Sequence, residues 1–304
     1  MPAEPAAPEA RSVGAMAARK GNRGLKSTAA AGPLQPSVLG AEKGEGTAPG
    51  SSAVALTDSW GSLRTFTPAR LALGRAGASL PTGEVLRFGW DHAQARDAVQ
   101  RPLDTDALER DIAALGLATL RVASRAPDRV TYLMRPDLGR RLDDRYVTAL
   151  EQSPARGCDL VLVVADGLSA QAVQSHAAPV LEQIVALLPK DWRLAPVVIA
   201  TQARVALGDE IGERLGAALV AVLIGERPGL SSPDSLGIYV TWQPRIGRTD
   251  AERNCISNVR PEGLSYAQAA HKLVWLCGEA RRLKASGLAL KDRSDLRSVN
   301  PSLR

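Results

Sequence analysis

The chain has 304 residues, 45% of them apolar and only 4% aromatic, with a formal net charge of +6. That length fits one large domain or two small ones, and any core must be built from Leu, Val, Ile and Ala. The sequence shows no long apolar run to span a bilayer and no secretory signal, and its three cysteines (Cys158, Cys255, Cys277) lack metal-ligand spacing; neither a disulfide framework nor structural zinc is expected, and a reducing cytoplasm is.

Residues 1–56 hold 14 Ala, 8 Gly and 6 Pro, and the first aromatic of the chain is Trp60. Such a segment buries too little to offset its ordering entropy, so a disordered leader is expected. Its weakly basic stretch, Arg11 to Lys26, is either a tether or a targeting tag. The excess positive charge elsewhere is modest and mixed with Asp and Glu, with no basic block interleaved with aromatics. It reads as a solvated surface or one facing an acidic partner, not as a nucleic-acid or membrane contact.

Residues 57–117 form the second region, a helical segment. Thr67-Pro68 marks a helix start that Gly74 and Gly77 end. Glu84–Val99 and Asp104–Leu115 are two more amphipathic helices, Asp104 being the N-cap of the second. Arg64, Arg70, Arg75, Arg87 and Arg96 recur here. The segment either contacts a partner or covers one face of a sheet.

From residue 118 to 290 strands and helices alternate. Short β-rich runs occur at Thr119–Ala123, Val130–Met134, Leu160–Ala165, Val197–Ala200 and Leu219–Ile224. Helical stretches occur at Gly139–Gln152, Ala170–Leu188 and Asp209–Leu215, with Pro179 expected to break the second and open a fresh helix. The pattern predicts an α/β fold, a Rossmann-like parallel sheet with helices on both faces. A last helix, Ser265–Lys284, places Cys277 on its core stripe and His271 beside it. A polar tail, 291–304, follows.

Ligands in such sheets bind outside the carboxyl ends of the strands. The loops there are Asp166–Ser169, Thr201–Val205 and Gly225–Leu230, and they should converge on one edge. Yet no dinucleotide glycine fingerprint follows a strand, and neither a P-loop nor a nucleophile elbow is present. His92, His176 and His271 fall on helices away from these loops, so no catalytic set is evident. The loops describe a module that holds a cofactor while chemistry is completed elsewhere; a self-sufficient nucleotide-binding α/β enzyme is the alternative.

Five blocks resemble the small, or light, chain of bacterial ethanolamine ammonia-lyase. They are Phe66–Gly77 (continued by Leu80-Pro81-Thr82 and Asp91–Val99), Tyr132–Leu142, Asp166–Ala170, Ile224–Leu230 and Asn254–Asn258, in the family's order over residues 58 to 290. The resemblance implies one subunit of a two-subunit carbon–nitrogen lyase, inactive alone. With a large barrel subunit it would bind adenosylcobalamin and support radical deamination of ethanolamine to acetaldehyde and ammonia. It implies corrinoid contacts at Val205, Glu226 and Cys255, with no catalytic or metal-ligating residue in this chain. Asp166, Ser169 and Arg227 are weaker candidates for the same face. The sequence lacks D-x-H-x-x-G, so the cofactor should stay base-on. Some relatives carry a leader that directs the enzyme into a bacterial microcompartment, which makes that a possible destination within the cytoplasm.

Overall fold

The computed structural model describes Leu56 and residues 58–295. The leader expected at 1–56 therefore lies, but for Leu56, outside the described residues, as does most of the tail.

The chain builds a six-stranded mixed sheet in the order β1-β3-β2-β4-β5-β6. The first four, β1 (Thr119–Ala123), β2 (Leu160–Ala165), β3 (Val197–Thr201) and β4 (Leu219–Gly225), are parallel neighbours. Strands β5 (Leu236–Trp242) and β6 (Arg253–Val259) add on as antiparallel neighbours, so the sheet is not wholly parallel. Because two antiparallel steps separate them, β6 runs in the same direction as β4. The carboxyl ends of β2, β3, β4 and β6 thus share one edge.

Alternation along the strands feeds two cores. Leu160, Leu162, Val164, Ile199 and Leu223 face helices α2 (Thr105–Ala114), α5 (Ala170–Leu187) and α7 (Tyr266–Leu283). Val161, Val163, Val198 and Val222 face the opposite layer, α4 (Val147–Glu151) and α6 (Val205–Leu215). Cys277 is fully buried on α7, as its place on the helical stripe predicts, and His271 is exposed. Asp104 caps α2, accepting from Ala107 N at 2.9 Å. Leu108 and Ile112 of α2 enter the core, so α2 covers the sheet. The preceding helix α1 (Thr82–Gln100) buries only Ala98.

Four sequence expectations are corrected. Val130–Met134 is not a strand but part of helix α3 (Arg129–Met134). Asp128 caps it, accepting from Thr131 N at 2.8 Å and Thr131 Oγ1 at 3.0 Å, and this local cap overrides the β-branched composition. No helix starts at Thr67-Pro68. Residues 66–80 run irregularly after a short 3-10 turn, Ser59–Thr65. Arg64 Nε donates to Leu71 O at 2.7 Å, and Gly74, at φ +75°, lies against Leu56 O where a Cβ would not fit. Pro179 does not break α5. Burial of Val180, Leu181 and Ile184 beyond it offsets the roughly 3 kcal/mol that an internal proline costs. The helical stretch expected at Gly139–Gln152 is shorter and split into 3-10 turns followed by α4.

Candidate functional site

The strand-end loops do converge. After β2 the chain turns through Asp166–Ser169, after β3 through Gln202–Arg204, and after β4 through Glu226–Ser235. With Ser257 of β6 they bound a cleft of about 420 Å³, lined by Tyr132, Gly167, Leu168, Arg204, Val205, Ile224, Gly225, Glu226, Arg227, Tyr239 and Ser257.

Two glycines let the loops approach this closely. Gly167 sits at φ +58°, and a Cβ there would overlap Gly225 O; a Cβ on Gly225 would overlap Ser169 O. Leu168 N donates to Gly225 O at 2.9 Å across the same contact. Backbone lies on backbone, and no side chain can intervene.

Asp166 and Ser169 turn out to build the cleft rather than face it. Asp166 is buried and accepts from Gln202 N (2.8 Å), Ala203 N (2.9 Å) and Gly167 N (2.9 Å), with Arg129 Nη1 3.6 Å away. Burial pushes its carboxyl up, while these donors and Arg129 pull it back. Its two oxygens tie the β2 loop to the β3 loop. Ser169 caps α5 and donates to Pro233 O at 2.8 Å.

The cleft wall carries a stack that has no signature in the sequence. The guanidinium groups of Arg204 (4.3 Å to the centroid) and Arg129 (4.8 Å) both lie over the ring of Tyr132, which is fully buried. Its hydroxyl donates to Ala203 O at 3.1 Å, and burial pushes its pKa up to about 12. Beside it, Arg129 Nη2, Gln202 Oε1 and Arg204 Nε are buried without a hydrogen-bond partner from the protein. Buried polar atoms are rarely left so.

Glu226 occupies the opposite side. It accepts from the Ser235 and Ser257 hydroxyls and from Asn258 N at 3.2 Å, joining the ends of β4, β5 and β6. Gly237 lies beneath it, where a Cβ would come within 2.9 Å of Glu226 Oε1. Gly237→Ala should therefore displace the carboxylate from Ser257. We expect a loss of about 1 kcal/mol in urea unfolding and a shift in the Ser257 and Asn258 amide signals, with spectra of α7 unchanged.

Of the three residues singled out from sequence, Val205 and Glu226 line the cleft together. Cys255 is not among the lining residues. It lies one strand outward, facing Tyr239 across the β5–β6 pairing, and is exposed. Its thiol is pushed up, first by its low-polarity surroundings and then by Glu226, with the Tyr239 hydroxyl pulling the other way. That is a poor setting for a thiolate nucleophile. Arg227 also lines the cleft and is exposed. Tyr132, Arg204, Tyr239 and Ser257 were missed. Arg204, Ser257 and Tyr132 lay inside segments already noted, and Tyr239 on a strand that was not. Among the described residues none of the three histidines lines the cleft, and no group of acidic, His and Cys side chains is arranged to hold a metal. No described helix is long and apolar enough to cross a membrane.

Fold and cleft define an α/β domain with a cleft whose polar groups gather at the carboxyl ends of the strands. The family model described as ethanolamine ammonia-lyase light chain (EutC) matches residues 57–291. The small subunit of ethanolamine ammonia-lyase from Azotobacter vinelandii is 58% identical over 241 residues, covering 78% of this chain and 89% of that one. Those of Ralstonia nicotianae (56%, 78% and 89%) and Pseudomonas aeruginosa (54%, 79% and 90%) are similar to it over the same extent. The chain belongs to the ethanolamine ammonia-lyase light chain family.

Proposed function

We propose that this chain is the small subunit of a two-subunit ethanolamine ammonia-lyase, holding base-on adenosylcobalamin against a large barrel subunit while ethanolamine is deaminated to acetaldehyde and ammonia. The observation that carries this reading is the cleft itself. It gathers Val205 and Glu226, with Cys255 one strand outward, and offers an acceptor, cations and an apolar wall but no nucleophile with its base.

The residues fit a corrinoid. Its periphery is fringed with amides, whose N–H groups suit Glu226 and whose carbonyls suit Arg204 and Arg227. Leu168, Val205 and Ile224 offer apolar contact to the ring edge. A cleft of about 420 Å³ takes only part of so large a molecule, so the other part needs a second polypeptide. When bound, the cofactor supplies a cobalt–carbon bond that breaks homolytically to start radical chemistry. This chain's residues contribute placement and a partly dehydrated wall; they move no proton.

The test is reconstitution. Neither chain alone should release ammonia from ethanolamine, whereas the co-expressed pair should do so only with adenosylcobalamin. A pair that binds the cofactor and leaves ethanolamine untouched, or a lone small chain that is active, would overturn the proposal.

A further inference from the structure

The geometry points to a second contact surface, the apolar face formed by Leu56, the Ser59–Thr65 turn, the irregular 66–80 segment and α1, as the docking site for the large subunit. This rests on the two-subunit reading above and says where, outside the cleft, the second chain is held.

Both phenylalanines of the sequence are exposed on this face. Phe66 is 85% exposed, Leu86 68%, and Trp60 and Trp90 66% each. Single exposed apolar side chains need no explanation, but a concentration of this kind marks a surface that is covered in use. The chain is poor in aromatics, so their gathering here is not a matter of general composition. The helix argument agrees. Helix α1 is 19 residues long and buries one alanine. Most helical stability in proteins comes from packing apolar side chains, and here Val85, Leu86, Phe88 and Trp90 of α1 stay exposed instead. Arg87 and Arg96 of α1 are exposed beside it. Trp, Phe and Arg are the residues enriched at the centres of protein interfaces.

The occupant follows from continuity with the cleft. Trp90 shares a hollow with Pro233, and Ser231 lines another with Arg64, Arg70 and Leu73. Ser231 and Pro233 belong to the loop that carries Glu226 and Arg227 into the cleft. The apolar face and the cleft are therefore the two sides of one loop. A polypeptide closing the cleft meets the apolar face as well.

The test uses the full chain co-expressed with the large subunit. The variant Trp60→Ser/Phe66→Ser/Leu86→Ser/Trp90→Ser should retain its circular dichroism and thermal transition, because these side chains are exposed in the free chain. Its affinity for the large subunit, measured by sedimentation, should fall by about 100-fold or more. If the fourfold variant melts early, Phe66→Ser alone decides, with a loss of roughly 10-fold expected. Unchanged association overturns the inference. So does a wild-type homodimer, or binding to anionic vesicles, that the variant loses while keeping the large subunit. If the wild-type chain itself fails to associate with the large subunit, the two-subunit reading falls, and this surface with it.

Discussion

Arg253→Leu should lower the free energy of unfolding by about 3–5 kcal/mol. Arg253 opens β6, and its side chain is only 3% exposed; it pairs with Asp209 of α6, which is 2% exposed. Asp250 (2.6 Å) and Arg248 O (2.9 Å) complete the set around the guanidinium. Leucine would leave the Asp209 carboxylate buried with only the Thr241 hydroxyl beside it and Arg248 as the nearest charge. Burial already pushes that carboxyl above the ordinary range, and Arg253 is the chief influence holding it down. Without the arginine it must rise further. A carboxyl whose pKa is higher folded than unfolded binds more protons in the folded state. Its stability contribution is then fully present below the unfolded value of about 3.9 and is lost as pH rises through the folded value. Urea midpoints of the variant should accordingly climb as pH is lowered from 8 to 5, more steeply than for the wild type. Equal slopes would sink the account. Replacing both partners, Asp209→Leu with Arg253→Met, should recover most of the loss, since the cost lies in the orphaned charge. The consequence reaches the cleft, because α6 starts at Val205 and β6 carries Cys255 and Ser257.

How much of this was legible in the sequence depends on whether local or long-range forces decided. The strands β2, β3 and β4 are apolar on both faces, and that uninterrupted pattern announces a covered parallel sheet. β6 was hidden because an edge strand with one wet face, Arg253-Asn254-Cys255-Ile256-Ser257-Asn258-Val259, reads as a polar loop. Its pairing with β5 is a tertiary fact. The site followed the same division. The rule that places ligands at strand ends finds the loops that carry Glu226 and Val205, and the family resemblance picks out these two residues within them. The Arg204–Tyr132–Arg129 stack joins α3 to the β3 loop, and no spacing in the sequence connects them. Asp166 misled in the opposite sense. A carboxylate at a strand end looks like a ligand contact until its oxygens are seen on the amides of Gly167, Gln202 and Ala203.

Glu226→Ala should separate the structural role of this carboxylate from the ligand contact proposed for it. As a structural acceptor it holds the Ser235 and Ser257 hydroxyls and Asn258 N, and hence the ends of three strands. Hydrogen bonds to a charged group contribute about 1.5–3 kcal/mol when buried. These donors lie at an open cleft where water can replace the lost oxygen, so the expected destabilisation is nearer 2 kcal/mol. As a ligand contact it would face the corrinoid's amide groups, and its loss should weaken cofactor binding to the assembled pair by roughly 10- to 100-fold. Glu226→Gln distinguishes the roles. The amide keeps the shape and one acceptor oxygen, and serine hydroxyls can turn to accept from its N–H₂. Stability should therefore return to within about 1 kcal/mol of wild type. If the charge itself selects the cofactor's N–H groups, affinity should remain depressed despite the recovered fold. Equilibrium dialysis of the three proteins alongside urea unfolding resolves this. An alanine variant that binds the corrinoid as tightly as wild type would remove Glu226 from the binding surface and leave it only the task of holding β4, β5 and β6 together.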